Sequence, residues 1–191
     1  VGQYDATKME LFDAEVTKAN TLLAKASITQ DEVTAQVGSL NSALLAALSM
    51  PEASTADSEH WYQITSLRSP NLYVTAEGEA TGVVGLETSS KYATSMWKFV
   101  ERGDGTFDIV NREYGAYLNP VATFNTQINT VQAKPEAGWT VSYANTPGCY
   151  IISSGEVQLN QTGSAQNYAI YNWSSNKGSD RTDTGCQLYI H

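Results

Sequence analysis

The sequence predicts a mainly β chain, three like units closing one barrel, preceded by a pair of antiparallel helices. Three observations predict it. An aromatic-led strand recurs as Tyr62-Gln63-Ile64-Thr65, Phe107-Asp108-Ile109-Val110 and Tyr150-Ile151-Ile152-Ser153, with starts 45 and 43 residues apart. A second short strand follows each at nearly constant distance, ending at Thr75, Asn119 and Asn160, and a later position carries Trp97, Trp139 and Cys186 in turn. The first 50 residues lack this pattern and carry apolar stripes at helical spacing. Units of about 43 residues made of short alternating strands cannot each bury a core alone, so they are expected to close one between them.

Phe12, Val16, Ala19, Leu23 and Ala26 recur at spacings of four and three, which lays one apolar stripe along a first helix. The break at Ser27-Ile28 is followed by Thr29-Gln30-Asp31-Glu32, a capping box in which hydroxyl and carboxylate each serve the other residue's amide. A second helix is expected from there, with Val33, Val37, Leu40, Leu44 and Leu48 as its stripe, antiparallel to the first because the connection is short. Pro51 and the Ser/Ala/Thr-rich stretch after it end that helix. The expected division is a hairpin at 1–50, a linker at 51–58 and the barrel at 59–191, in units of about 61–106, 107–148 and 149–190.

The balance of 20 acidic against 11 basic residues, a net charge of −9, excludes a backbone-dominated nucleic-acid partner, which needs a basic footprint. No apolar run approaches the ~20 residues of a membrane span. Val1 opens directly into helical pattern, so the chain is expected to be a mature or excised piece, joined to other domains of something longer.

The hairpin, with Leu22-Leu23-Ala24-Lys25-Ala26, the capping box and Ala43-Leu44-Leu45-Ala46-Ala47-Leu48, resembles the FIVAR module of bacterial extracellular proteins, where it serves as spacer or interaction element. The run Phe107 to Asn119, a strand, a turn ending in Gly115 and a second strand closing on a polar residue, resembles the opening of a unit of the ricin-type β-trefoil lectins. Tyr62 to Thr75 and Tyr150 to Asn160 repeat it. The resemblance implies a β-trefoil, six barrel strands capped by three hairpins, acting as a non-catalytic carbohydrate-binding module on an extracellular, cell-surface or periplasmic protein.

The family's Gln-x-Trp signature would fall at Ser95-Met96-Trp97, Ala137-Gly138-Trp139 and Thr184-Gly185-Cys186, so its Gln is absent throughout. Trp97 and Trp139 are expected in the core, and Cys186 as a small buried substitute for a third Trp. The sugar-binding acid of the family would fall at Thr75, Asn119 and Asn160, and its stacking aromatic in the third unit at Trp173. The other units offer Glu87 or Thr88, and Gln132 or Ala133, in that place. The resemblance therefore implies one sugar site, built from Asn160, Trp173 and Asp183 with Tyr171 or Asn172 nearby. An indole can stack on a sugar's apolar face while planar amides and carboxylates fix its hydroxyls. The alternative is an architectural or protein-interaction trefoil without a sugar site.

Nothing points to catalysis, a metal or a cofactor. His60 and His191 stand far apart, with no Ser, Cys or carboxylate at triad or ligand spacing, and no Gly-rich stretch forms a phosphate loop. Cys149 and Cys186 are expected at opposite ends of a ladder, hence as separate thiols.

Overall fold

The structure is a computed structural model, and it describes residues 6–47, 50–87, 92–121, 123–174 and 182–191. The chain divides into two compact units, Val1–Met50 and Pro51–His191.

The first unit is a helical hairpin of α1 (Ala6–Leu23) and α2 (Gln30–Ala47). The capping box closes in both directions: the Thr29 amide donates to Glu32 Oε2 at 2.9 Å and the Glu32 amide to Thr29 Oγ1 at 3.3 Å. Lys25 adds an ion pair to Glu32 Oε1 at 2.7 Å. The expected stripes need correction. Leu23, at the last position of α1, is 72% exposed, and Val33 and Val37 also face solvent. The covered positions include Phe12, Val16, Ala19 and Leu22 on α1, and Gln36, Leu40, Leu44 and the fully buried Ala47 on α2. The shift has a polar cause: Gln36 Nε2 donates to the Glu15 carbonyl and to Glu15 Oε2, both at 3.1 Å, so hydrogen bonding turns a Gln inward and Val37 outward. Leu48 lies outside the described residues.

Among its described residues the second unit holds twelve strands, four per repeat. The first strands of the three repeats are β1 (Ile64–Ser66), β5 (Phe107–Asn111) and β9 (Tyr150–Ser154), and the fourth strands are β4 (Trp97–Glu101), β8 (Thr140–Tyr143) and β12 (Leu188–Ile190). These six form a closed ring. β4 pairs β5, β8 pairs β9, and β12 pairs both β9 and β1, all antiparallel. Bridges at Tyr62↔Trp97 and Phe107↔Trp139 complete the circuit. Between them, β2 (Tyr73–Ala76) pairs β3 (Val83–Glu87), β6 (Tyr117–Leu118) pairs β7 (Thr130–Val131), and β10 (Val157–Gln161) pairs β11 (Ile170–Ser174). These hairpins meet in a cap, where the Val83 amide donates to the Ile128 carbonyl at 2.9 Å and the Ile128 amide to that of Ile170 at 2.8 Å. A six-stranded barrel capped by three hairpins, with a fourfold strand pattern repeated three times, is a β-trefoil. Ile64, Trp97, Phe99, Ile109, Trp139, Ile152 and Leu188 fill the barrel, and Val74, Leu118, Leu159 and Ile170 join them from the cap.

The register corrects one equivalence. Trp97 stands opposite Asn111, and Leu188 opposite Ser66, the residue that matches Asn111. Leu188, not Cys186, therefore shares the position of Trp97 and Trp139. The two indoles are tied alike, Trp97 Nε1 donating to the Val74 carbonyl at 2.8 Å and Trp139 Nε1 to that of Leu118 at 2.9 Å. Cys186 belongs to a satellite cluster with Ala144, Cys149 and Ile151. Both cysteines are buried, and no disulfide joins them. Residues 51–58 lie on the trefoil: Pro51 and Ser54 are buried, and the Ser54 amide donates to the Phe99 carbonyl at 2.6 Å.

Candidate functional site

Strand alternation places the third unit's aromatics. In the β10–β11 ladder Asn160 faces Tyr171 and Gln158 faces Trp173, so Tyr171 and Trp173, two apart, share a face of β11. Opposite Tyr73 and Tyr117, the residues that match Gln158, stand Glu87 and Val131, so only the third repeat presents an aromatic at this register. Val131 takes the place expected of Gln132 or Ala133.

Asn160, Tyr171, Trp173 and Asp183 line one concavity of about 360 Å³. Arg68 from the first repeat and Asn125 from the second also line it, so the site is assembled across all three units. Thr162, Gly163 and Gln166 line it from the turn that runs to Ala169, shaped by a 3-10 turn at Ser164–Gln166 and two successive left-handed residues, Asn167 and Tyr168. The Thr162 hydroxyl pins that turn by donating to the Ala169 carbonyl at 2.8 Å.

Asn160 is only 3% exposed and acts as a hub. Its Nδ2 donates to Asp183 Oδ1 at 3.2 Å and to Cys186 Sγ at 3.1 Å, and its Oδ1 accepts from Arg68 Nη1 at 3.4 Å. Asp183 Oδ1 also accepts from Arg68 Nη2 at 2.8 Å and from the Gly185 amide at 2.7 Å. Among the described residues Asp183 Oδ2 carries no hydrogen bond, which leaves one carboxylate oxygen as an acceptor. The guanidinium is spoken for as well, its Nη1 donating to the Gln161 carbonyl at 2.6 Å. Gly185 is required where it stands: a Cβ there would lie 2.5 Å from the Gln161 carbonyl oxygen and 2.6 Å from Arg68 Nη1. The result is a fixed planar array beside an indole, with its charges mutually neutralised.

Asn172 is the exception among the expected ligands. It sits on the opposite face of β11, fully buried, with Nδ2 donating to the Val121 carbonyl and Oδ1 unpartnered. It serves the loop that approaches from the second repeat: its amide donates to the Thr126 carbonyl at 2.9 Å, and its carbonyl accepts from the Asn125 amide at 2.8 Å. Trp173 is half-buried, packed on the Cys186 cluster and on Phe124, whose ring centroid is 5.0 Å away at an interplanar angle of 52°.

Elsewhere, the histidine reading is amended. His60 Nε2 lies 3.0 Å from Ser58 Oγ, and His60 Nδ1 lies 3.3 Å from Glu52 Oε2. The order is that of a nucleophile relay, but Ser58 is exposed and the Glu52 side chain is 65% exposed, so solvent reaches both ends. The same three residues clasp the 51–60 segment. Among the described residues no group of three or more His, Cys, Asp or Glu side chains could hold a metal ion, and no helix is long and apolar enough to cross a membrane.

No protein-family model matches the sequence, and comparison with curated proteins finds no similar one. Solved structures are similar. The ricin B-like lectin of Macrolepiota procera, solved in complex with lactose, matches with a TM-score of 0.57 at 15% identity, covering 72% of this chain and 98% of that one. The fold is shared. ThreeFoil, a designed threefold symmetric protein, matches at 0.57 and 14% identity over 68% of this chain and 96% of its own. The GlcNAcα1-4Gal-releasing endo-β-galactosidase of Clostridium perfringens matches at 0.53 and 16% identity, over 71% of this chain and 33% of that larger one. The shared element is the β-trefoil; at these identities the likeness extends to fold.

Proposed function

We propose that residues 51–191 form a non-catalytic carbohydrate-binding β-trefoil with one sugar site, in the third repeat, and that the chain belongs to an exported bacterial multidomain protein in which the FIVAR-like hairpin acts as spacer. The observation that carries this is the concavity in which Trp173 and Tyr171 stand beside the Asn160–Asp183–Arg68 array. A sugar's hydroxyls meet fixed acceptors and donors there while its apolar face meets a ring. The internal pairing of Arg68 with Asp183, on a chain of net charge −9, favours neutral over acidic sugars. A lectin among the similar structures, and a larger glycosidase sharing the fold over a third of its length, support the carbohydrate setting.

The test is a glycan array on the intact chain, followed by Trp173→Ala. Loss of a stacking indole should cost roughly 1.5 to 3 kcal/mol of binding, enough to erase a weak single site. The architectural reading draws on the packing of Trp173 against Phe124 and the Cys186 cluster. It wins if the intact chain binds no glycan, or if Trp173→Ala lowers stability as much as a core substitution does.

A further inference from the structure

Hydrogen bonding divides the polar lining of the concavity in two. Arg68, Asn160, Thr162 and Asp183 are bonded to one another or to the backbone. Asn160, 3% exposed and with both its side-chain N–H bonds spent, has little left to offer a ligand. Asn125, from the second repeat, and Gln166 line the same concavity, are exposed, and among the described residues make no side-chain hydrogen bond. We infer that Asn125 and Gln166 are the specificity-determining residues of the site, reading the hydroxyls of an uncharged pyranose; this rests on the carbohydrate reading of the concavity.

Both residues are fixed at the backbone and open at the side chain. The Asn125 amide donates to the Asn172 carbonyl at 2.8 Å and the Asn172 amide to the Thr126 carbonyl at 2.9 Å, which ties the second repeat's loop to β11 at the residue between Tyr171 and Trp173. Asn125 takes the left-handed conformation there, φ 57°, which Asn tolerates better than most residues that carry a Cβ. The Gln166 amide donates to the Gly163 carbonyl, and the Gln166 carbonyl accepts from the Ala169 amide, both at 3.1 Å. A primary amide offers a carbonyl and two N–H groups in one plane, so it can accept from one ring hydroxyl and donate to the next. Such a pairing separates sugars that differ in a single hydroxyl, because the wrong one leaves a polar group unmatched. With their backbones held in advance, the two amides give up only side-chain freedom on binding. Neither carries a charge, which suits an uncharged sugar.

Titration calorimetry on the intact chain with the methyl glycosides of glucose, galactose and mannose tests this, since galactose and mannose each differ from glucose at one hydroxyl. The native chain should separate at least one of these epimer pairs by about fivefold or more. Two variants remove the amides: Asn125→Gly, in which glycine keeps the left-handed backbone, and Gln166→Ala. Each should weaken the best-bound sugar by about three- to tenfold, the worth of one hydrogen bond between neutral groups, and bring the epimer ratio toward one. Melting temperatures should stay near the native value, because neither side chain holds a bond within the protein. Native affinity in either variant, an equal loss for every sugar with the ratio kept, or a melting temperature that falls along with affinity overturns the assignment and leaves the sugar site standing. So does a native chain that binds all three epimers alike. Binding of no sugar, here or on the glycan array, overturns the carbohydrate reading itself.

Discussion

Trp97 fills the barrel with no exposed surface and donates its indole N–H to the Val74 carbonyl, tying the fourth strand of its repeat to the second. Trp97→Ala should therefore destabilise the trefoil by about 3 to 5 kcal/mol, measured by chemical denaturation, through cavity formation and a lost hydrogen bond. Trp173, half-buried at the surface, should show the opposite balance, with binding lost and stability nearly kept. The repeat made much of this legible. Its resemblance to the lectin repeat singled out Asn160, Tyr171, Trp173 and Asp183, which line one concavity from three separate stretches. Asn172 was misread because adjacent strand residues face opposite ways, and the sequence does not announce which parity looks outward. Arg68 and Asn125 were invisible for another reason: they arrive from other repeats, 92 and 35 residues before Asn160, through barrel closure and cap docking.

At the scale of elements, helical periodicity and the Thr29–Glu32 box located both helices, yet periodicity does not say which covered face wins. The exchange between Gln36 and Glu15 decided it. The box has a pH signature. Glu32 is held down to about 2 from its ordinary 4.5, first by the hydrogen bond from Lys25, then by the Thr29 amide and hydroxyl. Since the folded value lies below the unfolded one, the box contributes fully above about pH 4.5 and its contribution is lost as pH falls toward 2. The Thr29 amide resonance in the intact chain should shift over that window, and in Glu32→Gln it should not. A Thr29 amide that titrates like a free chain, with its midpoint near pH 4.5, would show the box to be open in solution.

For the whole molecule, the three-repeat architecture could be read from the sequence because period, strand order and aromatic placement agreed. The match of Leu188 to the tryptophans could not, since Leu188 stands two positions after Cys186 and only the ladder fixes which of them meets β1 in register. Among the described strands the barrel ring is complete, and its last seam joins β1 to β12, with Ile64 opposite Ile190, the Gln63 amide on the His191 carbonyl at 3.1 Å and the His191 amide on that of Gln63 at 2.9 Å. That seam is made by the same antiparallel pairing that joins β4 to β5. A permuted trefoil, opened at the Gly103-Asp104-Gly105 turn and linked across 191 and 51, should accordingly fold to the same circular dichroism spectrum as the native order, and failure to fold would mark the seam as special.

The side-by-side pairing of Gln63 with His191 also seals the barrel at the joint between its first and last repeats. A ring joined there by backbone bonds offers no open strand edge at that joint, so a second copy of the chain finds nothing at this place to which it could add a strand.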